Sequence, residues 1–282
     1  MKTINLFVAI GLVALSSVIS SCNKDDDTTE ISNTDITDVQ DNATASNAFD
    51  DVDIEVNSSY GNSLKSDIAT IDTTNKPVVK IVSKEKGKIV KEFNYDGVTR
   101  RGKVRSGKII VTITYPIVGD SSDETKWVKT VTFDNYTIGQ RKLEGTKIIK
   151  YLGKIDGVHP QWDVTLTDGK ITLKNGKTIT LNYNRTRLQI EGYLTPFNIV
   201  DDVYKINGTG TGVKRNGKTY TSTLVDIIVK VTCKYITSGT ETFVSENKTK
   251  IITYTAGDDC SPSATVLVNG KSKSITIENE AE

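Results

Sequence analysis

Side-chain alternation along residues 77–282 predicts an all-β protein. The expected architecture is an antiparallel meander forming a sandwich or flattened barrel, behind a short N-terminal amphipathic helix. Three observations carry this expectation. Apolar and polar residues alternate with period two over long stretches, turn dipeptides recur between them, and no helical periodicity follows residue 60.

Ile109, Val111, Ile113 and Tyr115 share one parity against Ile110, Thr112 and Thr114. Ile179, Leu181 and Tyr183 do the same against Thr178, Thr180 and Asn182, and Ile227, Val229, Val231, Cys233 and Tyr235 against Lys230, Thr232 and Lys234. One apolar and one wet face is the pattern of an antiparallel sheet buried on one side. Asp168-Gly169, Asn175-Gly176, Asn216-Gly217 and Asn269-Gly270 read as hairpin turns, because each supplies residues that tolerate positive φ. About 12 to 16 strands follow, in a body spanning 59–282. Gly97–Lys103 and Gly212–Lys218 both read G-V-x-R-x-G-K. Duplication of a sheet unit explains the repeat, with halves at about 77–200 and 201–282; reuse of a turn sequence explains it equally.

The N-terminal region has the opposite charge. Residues 23–58 hold eleven Asp or Glu and one Lys, whereas 59–282 hold 34 basic and 24 acidic residues. Residues 22–41, rich in Thr, Asp, Asn and Ser, read as a disordered acidic tether. Over 42–58, Ala45, Phe49, Val52 and Val56 recur at three- and four-residue spacing, which predicts a helix whose acidic face docks on the basic body; Val52, Ile54 and Val56 alone also fit a strand.

Residues 1–21 read as a signal peptide. Lys2 precedes an apolar run from Ile4 to Ile19, short for a membrane span, which ends in Ile19-Ser20-Ser21-Cys22. That tetrapeptide resembles a lipobox, which makes Cys22 the lipidation site and the acyl group the membrane anchor. Two cysteines remain, Cys233 on the inward face of its strand and Cys260 one strand later; in an oxidising compartment they are expected to pair.

Motifs of catalysis are scarce. A net charge of +1 carries no nucleic-acid signature, and a single histidine, His159, excludes His-rich metal sites, so neither nucleic-acid partner, metal nor cofactor is expected. Gly212–Thr219 formally matches a P-loop, but alternating Tyr220–Val225 follows where a helix is required. Asp201-Asp202 and Asp258-Asp259 fall in no calcium-loop pattern. Two carboxylates for glycoside hydrolysis are available among 24 acidic residues, but nothing selects a pair. Trp127, Trp162, Tyr193 and Phe197 are candidates for a sugar platform, Trp162 the most exposed by context. The basic segments Arg100, Arg101, Lys103, Arg105 and Lys214, Arg215 suit an anionic glycan; outward, solubilising turns are the alternative.

Together, the lipobox, Lys24-Asp25-Asp26-Asp27, the acidic tether, the Thr-rich β body and the late cysteine pair resemble β-rich surface lipoproteins of Bacteroidota. The resemblance implies the outer face of the outer membrane and supplies no catalytic residue. The expected function is a non-catalytic envelope lipoprotein with a binding or structural role toward a glycan, lipopolysaccharide or other anionic ligand. A surface-tethered carbohydrate-active enzyme and a periplasm-facing assembly factor are the alternatives.

Overall fold

The computed structural model describes residues 31–58, 76–100, 102–117, 123–195, 198–233 and 235–277. The expected signal peptide, Cys22, the first part of the tether, Arg101 and Phe197 lie outside them. Among the described residues, no helix is long and apolar enough to cross a membrane.

The single α-helix among the described residues, α1 (Asn33–Ser58), begins well before the predicted residue 42. Its start is fixed by a reciprocal cap. Ser32 Oγ accepts the Asp35 N–H (3.2 Å), while Asp35 Oδ2 accepts from the Ser32 N–H (3.3 Å) and hydroxyl (2.7 Å). The expectation of a disordered tether through residue 41 is therefore corrected: 33–41 is helical. The helix is not amphipathic in the predicted sense either. Val39, Ala43, Ala45, Phe49, Val52 and Val56 are buried, but so are Asp38, Asp41, Asn42, Asp53 and Glu55. No side chain from Asp38 to Val56 is exposed.

The rest is one antiparallel meander in which every strand pairs with its sequence neighbours. In order they are β1 (Val78–Glu85), β2 (Lys88–Arg100), β3 (Lys103–Thr114), β4 (Val128–Ile138), β5 (Arg141–Lys154), β6 (Pro160–Thr172), β7 (Thr178–Glu191), β8 (Val203–Val213), β9 (Thr219–Lys230), β10 (Ser238–Ser245), β11 (Lys248–Tyr254), β12 (Ser263–Val268) and β13 (Lys271–Thr276). Among the described residues the meander is a single sheet of 13 strands and is not closed into a barrel: β1 pairs only with β2, and β13 only with β12. It curls around α1, which reaches Tyr95 on β2, Arg105 on β3, Lys147 on β5, Glu241 on β10 and Thr276 at the end of β13.

The curl has a local cause. Register shifts interrupt nearly every pair from β2 to β10, and each bulge adds twist and bends its strand. Gly107 and Gly239 stand at two of them with φ of 82° and 113°. A Cβ there would meet the Asn135 and Asp226 carbonyl oxygens at 2.2 and 2.5 Å, so only glycine fits.

Two turn readings change. Asn175-Gly176, Asn216-Gly217 and Asn269-Gly270 do join strands, β6–β7, β8–β9 and β12–β13. Asp168-Gly169 instead forms a bulge inside β6, with Asp168 at φ 53°. The alternation from Ile227 to Tyr235 also overreaches. β9 ends at Lys230, because the Val231 N–H turns to the Asp202 carbonyl and the Cys233 N–H folds back on the Lys230 carbonyl. Gly212–Thr219 is the β8–β9 hairpin. Cys233 and Cys260 form the expected disulfide, their Cα atoms 5.1 Å apart, tying the end of β9 to the turn after β11.

Candidate ligand cleft and the charged interior that shapes it

The inward face of the sheet carries cations among the apolar residues of one continuous core, and the acidic residues of α1 meet them. Toward the helix N-terminus, Asp38 Oδ2 takes Lys214 at 2.9 Å and Lys250 at 2.8 Å. Asp35 takes Lys248 at 2.7 Å and Lys250 at 3.3 Å, and Arg215 grips Asp41 through Nε and Nη2. Burial opposes ionisation of Asp35 most strongly, yet Lys248, Ser32 and Lys250 together hold its carboxyl at about 2.

Toward the C-terminus the partners are mainly arginines stacked on aromatic rings. Arg105, fully buried, donates to the Tyr136 hydroxyl oxygen (2.8 Å) and pairs with Asp51 (2.7 Å) and Glu55 (3.8 Å). Lys147 pairs with Asp53 (2.7 Å) and donates to the Phe49 carbonyl (3.0 Å). Arg185 lies 4.0 Å from the Tyr183 ring, pairs with Asp50 (3.2 Å) and donates to Ser46 Oγ (2.7 Å). Arg187 pairs with Asp53 (2.7 Å) between the rings of Trp162 and Tyr204, 5.2 and 5.0 Å away.

Beside this second set the interior opens into a cleft enclosing about 80 Å³. Its lining mixes apolar side chains, Ile54, Val164, Ile199, Ile206, Val229, Val231 and Ile236, with polar ones, Asp50, Asp51 and Asp53 from α1, Arg185 and Arg187 from β7, and Lys103, Asp202 and Tyr204. The two kinds alternate across the strands: Val164 stands opposite Arg185, and Ile206 opposite Arg187. The buried Asp202 carboxylate accepts from Gln189 Nε2 and from the Tyr204 hydroxyl, each at 2.7 Å. Burial still outweighs those two donors, and neighbouring Asp201 adds repulsion, so its carboxyl is pushed up to about 6. Disulfide-bonded Cys233 belongs to the same lining.

These contacts redistribute the expected site residues. Arg105, Lys214 and Arg215 are not outward loop cations: the first two are fully buried, and all three are paired with α1. Charge alone placed them outside; the acidic helix, whose docking on the basic body was expected but whose enclosure within it was not, holds them inside. Lys103 reaches the cleft lining, and Arg100 lies at the β2–β3 turn. Trp162 is half-buried, 5.6 Å from the Tyr151 ring and in edge contact with Tyr204, so it backs the cleft wall and is no open platform. Tyr193 meets His159 edge-on at 4.6 Å, and Trp127 packs on Tyr115 elsewhere. His159 Nδ1 sits 2.5 Å from Asp156 Oδ2 in the β5–β6 turn.

Sequence reasoning missed Asp50, Asp53, Arg185, Arg187 and Tyr204, and weighed Asp202 only as a calcium ligand. A signal existed for two of them: Arg185 and Arg187 continue the parity of Ile179, Leu181 and Tyr183 and are therefore inward residues. Among the described residues no group of three or more His, Cys, Asp or Glu is placed to hold a metal ion. Compared with models of protein families, with curated proteins and with solved structures, the chain matches none.

Proposed function

We propose that the chain is a lipid-anchored envelope binding protein that works without catalysis, with the cleft between α1 and β6–β9 as its binding site. The anchor rests on Ile19–Cys22, and surface exposure on Lys24-Asp25-Asp26-Asp27. The observation that carries the binding role is the cleft itself. It sets apolar side chains among polar ones that are already fixed by ion pairs and ring contacts, the preorganised arrangement that favours a small ligand. An anionic glycan or lipopolysaccharide is the less favoured ligand, because Arg105, Lys214 and Arg215 are engaged with α1.

The test is a thermal-shift panel of glycans, lipopolysaccharide and amphiphiles on the mature protein, repeated with Ile199→Trp and Ile236→Trp, which fill the cleft. Ligands that stabilise the parent and not these variants support the reading; ligands indifferent to both refute it. Palmitate labelling that persists in Cys22→Ala refutes the anchor.

A second reading, a surface-tethered hydrolase, draws on one observation. Asp202, with its raised pKa, lines the same cleft as ion-paired Asp50 and Asp53, the division between acid and carboxylate that glycoside hydrolysis uses. Turnover of a glycoside panel, abolished in Asp202→Asn with the fold retained, would establish it.

A further inference from the structure

Resting on the binding reading above, we infer that the ligand is an amphiphile with an uncharged head, whose alkyl chain ends in the cleft along Val229, Val231 and Ile236. Two independent features of the site lead there.

The first is charge. Arg185 is matched by Asp50, Arg187 and Lys147 by Asp53, and Arg105 by Asp51. Asp202 is held by two neutral donors. A charged ligand that displaces one of these pairs leaves a buried charge uncompensated. A bare sugar would place hydroxyl groups against Val229, Val231 and Ile206, which offer them no hydrogen bonds. An alkyl chain meets neither penalty.

The second is the rim. The β5–β6 turn exposes Ile155 (57%) and Val158 (41%), and the β7–β8 loop exposes Leu194 (82%). The two loops touch through the His159–Tyr193 ring contact. The β7–β8 loop then carries Ile199 and Asp202 into the cleft lining, with Thr195 Oγ1 bonded to Asp201 at 2.6 Å. A single exposed apolar residue is ordinary, but three on two touching loops, one of which also supplies Ile199 to the cleft lining, form an apolar patch. The enclosed volume suits the end of a chain, and the rim supports the rest.

The experiment uses the full mature chain with Cys22→Ala and the disulfide intact, in a Trp127→Phe background so that Trp162 alone reports. Hexyl, heptyl and octyl glucosides below micelle formation are compared with alkanoates and alkylammonium salts of the same lengths, at low and high salt. Affinity should rise about fourfold per methylene for the glucosides, be insensitive to salt, and exceed that of either charged series. Leu194→Ser should weaken it severalfold, and Ile236→Trp should abolish it. Acylated protein that refuses the probe while Cys22→Ala accepts it would confirm the alkyl class and identify the protein's own anchor as the source of the chain. Glucosides that bind no better than glucose, or binding that tracks head-group charge and salt, overturn the alkyl class; if those charged probes still fail on Ile236→Trp, the cleft itself survives as the site. No response of Trp162 to any probe overturns both readings.

Discussion

The two halves of α1 use the same pairing chemistry and reach different ends. The N-terminal half sets Asp35, Asp38 and Asp41 against Lys214, Arg215, Lys248 and Lys250, and Phe243, stacked on Tyr220, packs beneath Lys250. The C-terminal half sets Asp50, Asp51, Asp53 and Glu55 against Arg105, Lys147, Arg185 and Arg187, with Asp202 and an open cleft alongside. Arginine accounts for part of the difference. Its planar fork binds carboxylates and stacks on rings together, so polar side chains can stand beside empty space without collapsing into it. The N-terminal half is a closed seam; the C-terminal half is a scaffold around a cavity.

The most damaging way to break this contrast is Arg105→Leu, which takes the buried guanidinium away from Asp51 and Glu55. A loss of about 3–5 kcal/mol is expected, read by urea denaturation; a loss below 1 kcal/mol would mean the interior pairs are not the scaffold described. Removing the disulfide with Cys233→Ser and Cys260→Ser should cost about 3–4 kcal/mol and loosen the cleft lining, with thermal melting under non-reducing conditions as the measure.

Asp202→Asn should move stability the other way. The folded carboxyl titrates near 6 against an ordinary value of 3.8, so the folded state binds the extra proton and stability falls as pH rises from about 4 to 6. The variant should therefore be more stable than the parent above pH 6, by about 2 kcal/mol, and should gain nothing at pH 4. An equal gain at both pH values would remove burial of the carboxylate as the cause. Asp35 has the opposite sign: its carboxyl is held down at about 2, so its contribution is present above pH 4 and disappears as pH falls through 2. The smallest effect belongs to Lys248→Ala on the seam. Its side chain is 36% exposed, and about 1 kcal/mol or less is expected.

The β body was legible because its strands obey one rule, period two, and Ile109–Ile113 and Ile179–Tyr183 do face inward. The docking of an acidic helix on the basic body was legible from the charge step, but the extent and full enclosure of α1 were not, because periodicity detects a helix by contrast between an apolar and a polar face. Here the polar face is buried as well, against cations, and the contrast is lost. The cap Ser32-x-x-Asp35 was a local signal that did mark the true start. The cleft was illegible for a different reason. Val164, Arg187, Asp202 and Val231 come from four separate stretches, and only the bulged curl of the sheet brings them around Asp50 and Asp53.

The burial of α1 also dictates an order of events. Residues 33–58 are synthesised before every strand of the sheet, but partners of theirs arrive at its end: Asp38 waits for Lys214 and Lys250, and Gln40 Nε2 for the Thr276 carbonyl, 236 residues downstream. Such long-range closure makes for slow folding, with the leading segment unsatisfied until the final hairpin is made. An apolar helix left waiting that long would be an aggregation hazard. An aspartate-rich one stays hydrated, and becomes a core element only once the completed sheet brings its cations around it.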